Sequence, residues 1–167
     1  MENISIRRME IGDSEAVVDV LIDSWRTAYK GIVSDELLES LDRESLIERR
    51  KKQYKDYIVA VIDGRVAGYC WYIDNNSFSE EVPGTDCEIV ALYVRPELER
   101  QGIGREMLLF AADELRNLGR KKMVIRCLKD NVRGRRFYEK MGGIPVGEYK
   151  THIGNDDYDE TGYMFGL

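Results

Sequence analysis

The sequence predicts an α/β protein of the α+β type, built on one mixed sheet with helices on both faces. Three observations predict it. Short runs rich in Val, Ile, Leu and Tyr, bounded by Gly, Pro or Asp, have the length and composition of strands. Longer stretches place their apolar residues on one helical face. The two kinds follow one another as β-α-α-β-β-β-α-β-α-β-β, without repeat, low-complexity tract or linker, so residues 1–167 read as one domain. A content of 43% hydrophobic and 34% charged residues fits a globular chain long enough to bury a core.

Ile4 to Arg8 alternates apolar and polar residues and reads as the first strand. Gly12-Asp13-Ser14 breaks the chain and offers an N-cap. Val17, Val18, Leu21, Ile22, Trp25, Ala28 and Tyr29 then form a helical stripe that Gly31 ends. Ser34-Asp35 caps a second helix carrying Leu37, Leu38 and Leu41, and Asp42 starts a further turn or helix through Leu46 and Ile47 to about Gln53. The basic run Glu48-Arg49-Arg50-Lys51-Lys52-Gln53-Tyr54-Lys55 reads as a solvated helix face rather than a device for steering phosphate.

Tyr57 to Asp63 and Val66 to Asp74 form a hairpin around Asp63-Gly64, followed by a polar loop from Asp74 to Pro83. After the central segment described next, Met123 to Leu128 is a strand and Val132 to Met141 a short helix stopped by Gly142-Gly143. Two last strands, Pro145 to His152 and Gly162 to Leu167, flank an acidic loop, Asn155 to Glu160. That loop reads as a solvated hairpin tip rather than a trap for a cationic amine.

The central segment runs from Cys87 to Leu118. Cys87 to Val94 is an apolar strand that Pro96 ends, because proline cannot donate to a ladder. Arg100-Gln101-Gly102-Ile103-Gly104-Arg105 is a loop, and from Arg105 the residues Met107, Leu108, Ala111, Leu115 and Leu118 form a helical stripe with Gly119 as its stop. Strand, glycine loop and helix together hold phosphate well: the N–H groups of a helix's first turn point out of its end, where the dipole favours negative charge. A Walker loop would carry Lys and Ser or Thr where Arg105 and Glu106 stand, and a dinucleotide fingerprint would carry a third glycine at Met107. A plain turn between strand and helix is the bland reading of the same loop.

The segment resembles the acetyl-CoA-dependent N-acetyltransferase (GNAT) superfamily, whose loop Gln/Arg-x-x-Gly-x-Gly/Ala cradles the coenzyme A pyrophosphate. Gly102 and Gly104 match its glycines, while Glu99 stands at its first position. Asn131-Val132-Arg133-Gly134-Arg135-Arg136-Phe137-Tyr138 resembles a second signature, Asn-x-x-Ala-x-x-Phe-Tyr, with Gly134 for the alanine and Gly143 where Phe is usual. The order of elements is similar along nearly the whole chain, and the resemblance implies a mostly antiparallel sheet. It further implies acetyl-CoA as co-substrate, held by Arg100, Gln101, Gly102, Ile103, Gly104, Arg105 and Asn131 and by the backbone of Leu92, Tyr93 and Val94. In the same terms Glu88 is the general base, Tyr138 the general acid that protonates the thiolate, and Trp25 and Tyr29 border the acceptor cleft.

Each of these residues also has an ordinary structural use. Glu88 could face solvent at the strand's beginning or pair with an arginine, Asn131 is a good N-cap, and Phe137, Tyr138, Trp25 and Tyr29 could be core. The chemistry explains the residue types. An amine must lose a proton to attack, the thioester carbonyl needs hydrogen-bond polarisation, and the leaving thiolate needs a proton, which a tyrosine of pKa about 10 still carries at neutral pH.

The expected function is therefore acetyl transfer from acetyl-CoA to a primary amine of a small molecule or protein. The alternatives are a non-catalytic acyl-CoA-binding module, or a transferase of a longer acyl chain. No metal is expected, since His152 is the sole histidine and there is no Cys-x-x-Cys. A net charge of −6 and pI near 5.0 argue against nucleic acid as partner and favour a cationic acceptor. Three cysteines in apolar runs and the lack of a leader or a membrane span point to reduced thiols in a cytoplasmic protein, monomeric or homodimeric.

Overall fold

The computed structural model describes residues 3–75 and 82–167. The chain forms two compact units, Met1–Trp71 with Ala91–Ala111 and Tyr72–Val90 with Ala112–Leu167. The strand ladder runs β1-β2-β3-β4-β5-β7-β6, and the order of elements is the expected one with a third helix ahead of β2. Most of the polar loop expected from Asp74 to Pro83 lies outside the described residues. Among the described residues no helix is long and apolar enough to cross a membrane.

The first unit opens with β1 (Ile4–Arg8), which pairs antiparallel with β2 (Tyr57–Ile62), as β2 does with β3 (Arg65–Ile73). Between β1 and β2 lie α1 (Ser14–Ala28), α2 (Asp35–Glu39) and α3 (Arg43–Gln53). Ser34 and Asp42 cap α2 and α3, each accepting a backbone N–H three residues on. Within the stretch Gly12-Asp13-Ser14, Asp13 takes the N-cap position of α1, but its side chain bonds none of the helix's N–H groups. Its carboxylate takes two hydrogen bonds from Arg7, at 2.8 and 3.0 Å, and the Glu10 N–H at 2.8 Å, closing the turn ahead of the helix instead.

The stripe on α1 is as spaced in the sequence. Val17, Val18 and Leu21 are buried against Tyr57, Val59 and Tyr69 of the sheet, and each such aliphatic side chain contributes about 1.5–3 kcal/mol on leaving water. On α3 the basic run is exposed with one exception: Arg50 lies one turn from the buried Ile47 and is itself only 6% exposed. Three residues along a helix return to the same face, so the core-facing side of α3 carries a cation.

The second unit holds the first half of β4 (Cys87–Val94), β5 (Lys122–Leu128), α5 (Val132–Lys140), β6 (Ile144–Ile153) and β7 (Asp156–Gly166). β4 pairs parallel with β5 from Cys87↔Met123 to Ile89↔Ile125, whereas β5–β7 and β6–β7 are antiparallel. Parallel neighbours need a long crossover, and α4 (Ile103–Asn117) supplies it.

The acidic loop expected from Asn155 to Glu160 is a strand instead. Only Gly154-Asn155 turns, and Asp156 to Glu160 begin β7 opposite β6. Charge pairs across and beside the strands explain it: Asp159 meets Lys150, Asp157 meets His152, and Glu160 meets Arg126. Cys70, Cys87 and Cys127 are free and buried, and burial pushes the Cys87 and Cys127 thiols up to about 12 and raises that of Cys70 as well.

Candidate active site

The glycine loop lies in the first unit. Arg100 has φ 64 and Gly102 φ 85, so the chain enters α4 through two left-handed residues. For Gly102 the conformation is free, whereas for an arginine it is strained, and such strain collects at ligand sites. The Glu106 N–H bonds the Gly102 carbonyl at 3.0 Å, which makes Gly102 the cap and Ile103 the first helical residue. The helix thus starts two residues before the expected Arg105, and Gly104 sits inside its first turn. By helix geometry the N–H groups of Ile103, Gly104 and Arg105 then have no partner within the helix and point out of its end. Gln101, Gly102 and Arg105 around them are exposed.

The second half of β4 lies in the same unit. The Arg95 N–H bonds the Ala67 carbonyl of β3 at 2.8 Å. Backbone groups alternate along a strand, so those of Val94 and Leu92 point away from β3, free to receive a ligand's polar atoms except where Ser24 donates to the Val94 carbonyl at 3.1 Å. On the opposite side β3 comes close, and a Cβ at Gly68 would stand 2.6 Å from the Tyr93 carbonyl. Ser24 and Gly68 went unnoticed in the sequence, since neither belongs to a motif.

The structure brings Trp25, Tyr29 and Tyr93 together. The Tyr29 and Tyr93 hydroxyls are 2.8 Å apart and Trp25 packs edge-on against Tyr29, with ring centres 5.2 Å apart. The row of rings continues from Tyr93 to Tyr69, Tyr57 and Trp71, the last two stacked at 5.4 Å.

In the second unit Glu88 is 4% exposed between Cys87 and Ile89, which are buried as well. Its position at the start of the strand therefore does not place it in solvent. Asn131 caps α5, accepting the Gly134 N–H at 3.1 Å. Tyr138 is buried on the same helix, its ring against Phe137 and Tyr163. His152 is exposed and bonds Asp157 at 2.8 Å, a pair within the β6–β7 hairpin.

A model of the acetyltransferase (GNAT) family matches residues 17–143. The chain belongs to that family. It is similar to the uncharacterized N-acetyltransferase YuaI of Bacillus subtilis, 29% identical over 161 residues that cover 95% of this chain and 91% of that protein. It is also similar to the spermidine N(1)-acetyltransferase of Thermoplasma acidophilum, 28% identical over 153 residues, 84% of this chain and 88% of that one. Among solved structures, the PaiA N-acetyltransferase of Thermoplasma acidophilum in complex with coenzyme A superposes with a TM-score of 0.69 at 24% identity, over 95% of this chain and 98% of that one. A GCN5-related N-acetyltransferase of Rhodopseudomonas palustris reaches 0.75 at 13% identity, over 100% and 98%. The protein is an acetyltransferase with the GNAT fold.

Two departures of this GNAT chain from the family pattern have steric reasons. A Cβ at Gly134 would stand 2.7 Å from the Asn131 side-chain amide and 3.1 Å from Cys127 Sγ, so an alanine there would require the amide to shift from the position it holds here. At Gly143 a Cβ would meet the Phe165 ring at 2.7 Å and the Tyr138 carbonyl at 2.9 Å. Phe165 thus occupies the space that a phenylalanine at position 143 would take.

Proposed function

We propose that this GNAT enzyme transfers the acetyl group of acetyl-CoA to a primary amine by direct attack. The observation that carries the reading is the exposed, left-handed entry into α4, with Arg100 and Arg105 beside backbone N–H groups that have no acceptor within the helix. Arg100, Gln101, Gly102, Ile103, Gly104 and Arg105 take the pyrophosphate, as donors at a helix N-terminus do. The outward backbone groups of Leu92 and Val94, flanking Tyr93, hold the pantetheine arm and polarise the acetyl carbonyl. The amide nitrogen of Asn131 adds a contact to the cofactor, its oxygen being engaged by the cap.

Glu88 accepts the amine's proton, directly or through a water. The amine nitrogen bonds the carbonyl carbon, and as the tetrahedral intermediate collapses the carbon–sulfur bond breaks. Tyr138 gives its hydroxyl proton to the departing thiolate. Trp25 and Tyr29 border the acceptor. A buried carboxylate in an apolar strand is costly unless something uses it, and this supports the assignment of Glu88. The similar spermidine acetyltransferase supports a primary amine as acceptor.

The test is thiol release from acetyl-CoA with a broad amine panel, for the wild type and Glu88→Gln. The expected result is transfer to at least one amine, with the variant slowed in turnover far more than in acetyl-CoA affinity and the low-pH limb of the rate profile lost. Wild-type turnover in the variant would remove Glu88 from the mechanism. Coenzyme A binding without transfer to any amine would favour an acyl-CoA-binding module.

A further inference from the structure

Arg50 is a buried cation with no counter-charge among the described residues. It is 6% exposed on the core-facing side of α3. Its Nη1 donates to the Tyr57 hydroxyl at 2.7 Å, and its guanidinium lies 5.0 Å from the centre of the Tyr57 ring. Its Nε is buried with no hydrogen-bond partner. Among the described residues no carboxylate pairs with it. Burial raises the pKa of Tyr57 and keeps that hydroxyl neutral, so it offers a lone pair but no charge.

Arginine is seldom buried unless it is paired, because a desolvated charge with an unmet donor is strongly unfavourable. The same helix exposes Arg49, Lys51 and Lys52, which face water without that cost. The Nε–Nη2 edge of a guanidinium is the side that takes a carboxylate in two parallel bonds. The guanidinium meets Tyr57 through Nη1 and its face, and from Tyr57 the row of rings leads through Tyr69 to Tyr93.

We propose that Arg50 receives a carboxylate of the acceptor, so that the preferred substrates are amines that also bear a carboxylate. The amine end of this inference rests on the acetyl-transfer reading. The carboxylate end rests on the surroundings of Arg50 alone. It departs from the expectation, drawn from net charge, of a simply cationic acceptor: the acceptor's amine remains cationic until deprotonated, and its second group is anionic.

Pairs of acceptors that differ only in the carboxylate test it: lysine against cadaverine, ornithine against putrescine, phenylalanine against phenethylamine. The expected result is a kcat/KM at least tenfold higher for the carboxylated member of one or more pairs, with that ratio falling at least tenfold in Arg50→Met. A purely structural Arg50 would lower both members alike and leave the ratio in place, which would overturn the proposal, as would preference for the decarboxylated member in every pair. Preference for phosphoethanolamine over every carboxylate would overturn the carboxylate assignment too.

A binding arm needs no acetyl transfer. 3-Phenylpropanoate should raise the Tm of the wild type more than 3-phenylpropanol does, and Arg50→Met should lose the difference. Without ligand that variant should be as stable as the wild type or more so, since removing an uncompensated buried charge relieves desolvation. If no amine is acetylated, the acetyl-transfer reading fails and this arm still decides Arg50. If Arg50→Met does not fold, the wild-type preferences and the Tm difference decide it, and their absence overturns the proposal.

Discussion

The hydroxyls of Tyr29 and Tyr93 share a hydrogen bond of 2.8 Å across 64 residues of chain. It ties the C-terminal end of α1 to the strand proposed to hold the acetyl group. Tyr29→Phe and Tyr93→Phe should each lower stability, and a double-mutant cycle on thermal unfolding should give a coupling of about 0.5–1.5 kcal/mol. Tyr29→Phe should also raise KM for the amine more than it changes the affinity for acetyl-CoA. Equal effects on both substrates would place Tyr29 outside the acceptor site.

Gly102 and Gly119 stand at opposite ends of α4 with nearly equal φ, 85 and 83, and nothing within 4 Å of a Cβ at either. Alanine at each should cost a similar ~1–2 kcal/mol of backbone strain. Gly102→Ala alone should weaken coenzyme A binding by calorimetry, and the wild-type affinity should fall as salt rises. Equal coenzyme A affinities in the two variants would remove the loop from the cofactor site.

Tyr138→Phe keeps the ring against Phe137 and Tyr163 and deletes only the hydroxyl. The expected outcome is a kcat lower by roughly ten- to a thousand-fold, in the range of lost acid catalysis, with Tm and acetyl-CoA affinity nearly unchanged. A large drop in Tm with kcat intact would make Tyr138 a core residue alone.

Asp13 gives the fold a pH dependence of known sign. Burial works against its charge, but the Arg7 guanidinium and the Glu10 N–H outweigh burial and hold its pKa below the usual carboxylate range. A carboxyl depressed in the folded state stabilises fully above its unfolded pKa of about 3.9, and that contribution is lost as pH falls through the lower folded value. Asp13→Asn should therefore lower Tm at neutral pH, and the gap to the wild type should close below about pH 4. A gap independent of pH would mean that Arg7 and Asp13 act through geometry rather than charge.

Much of this was legible in the sequence because the signals were local. Cys87–Val94 is a strand within the bounds its apolar run sets, and the Asn131 helix begins at its cap. What was not legible depends on partners distant in the chain. Asp156 to Glu160 looked like a loop because acidic residues are poor strand formers, and only Lys150, His152 and Arg126 make it a strand. Arg50 was absorbed into its basic run, although its spacing from Ile47 carried the signal. The use of Asp13 was hidden as well, because its partner Arg7 lies outside the window in which caps are read. Glu88 was recognisable as a carboxylate in an apolar run, but its burial was not, since a strand's end can fray into water.

The buried thiols bear on how this enzyme can be assayed. Only thiolate attacks a disulfide reagent, and Cys70, Cys87 and Cys127 are both shielded from solvent and held protonated by their surroundings. A chromogenic disulfide added to the native protein therefore finds no ready sulfhydryl until the chain unfolds. The colour that develops during turnover comes from liberated coenzyme A, with little background from the catalyst itself, and a burst of three further equivalents on adding denaturant counts the enzyme in the same cuvette.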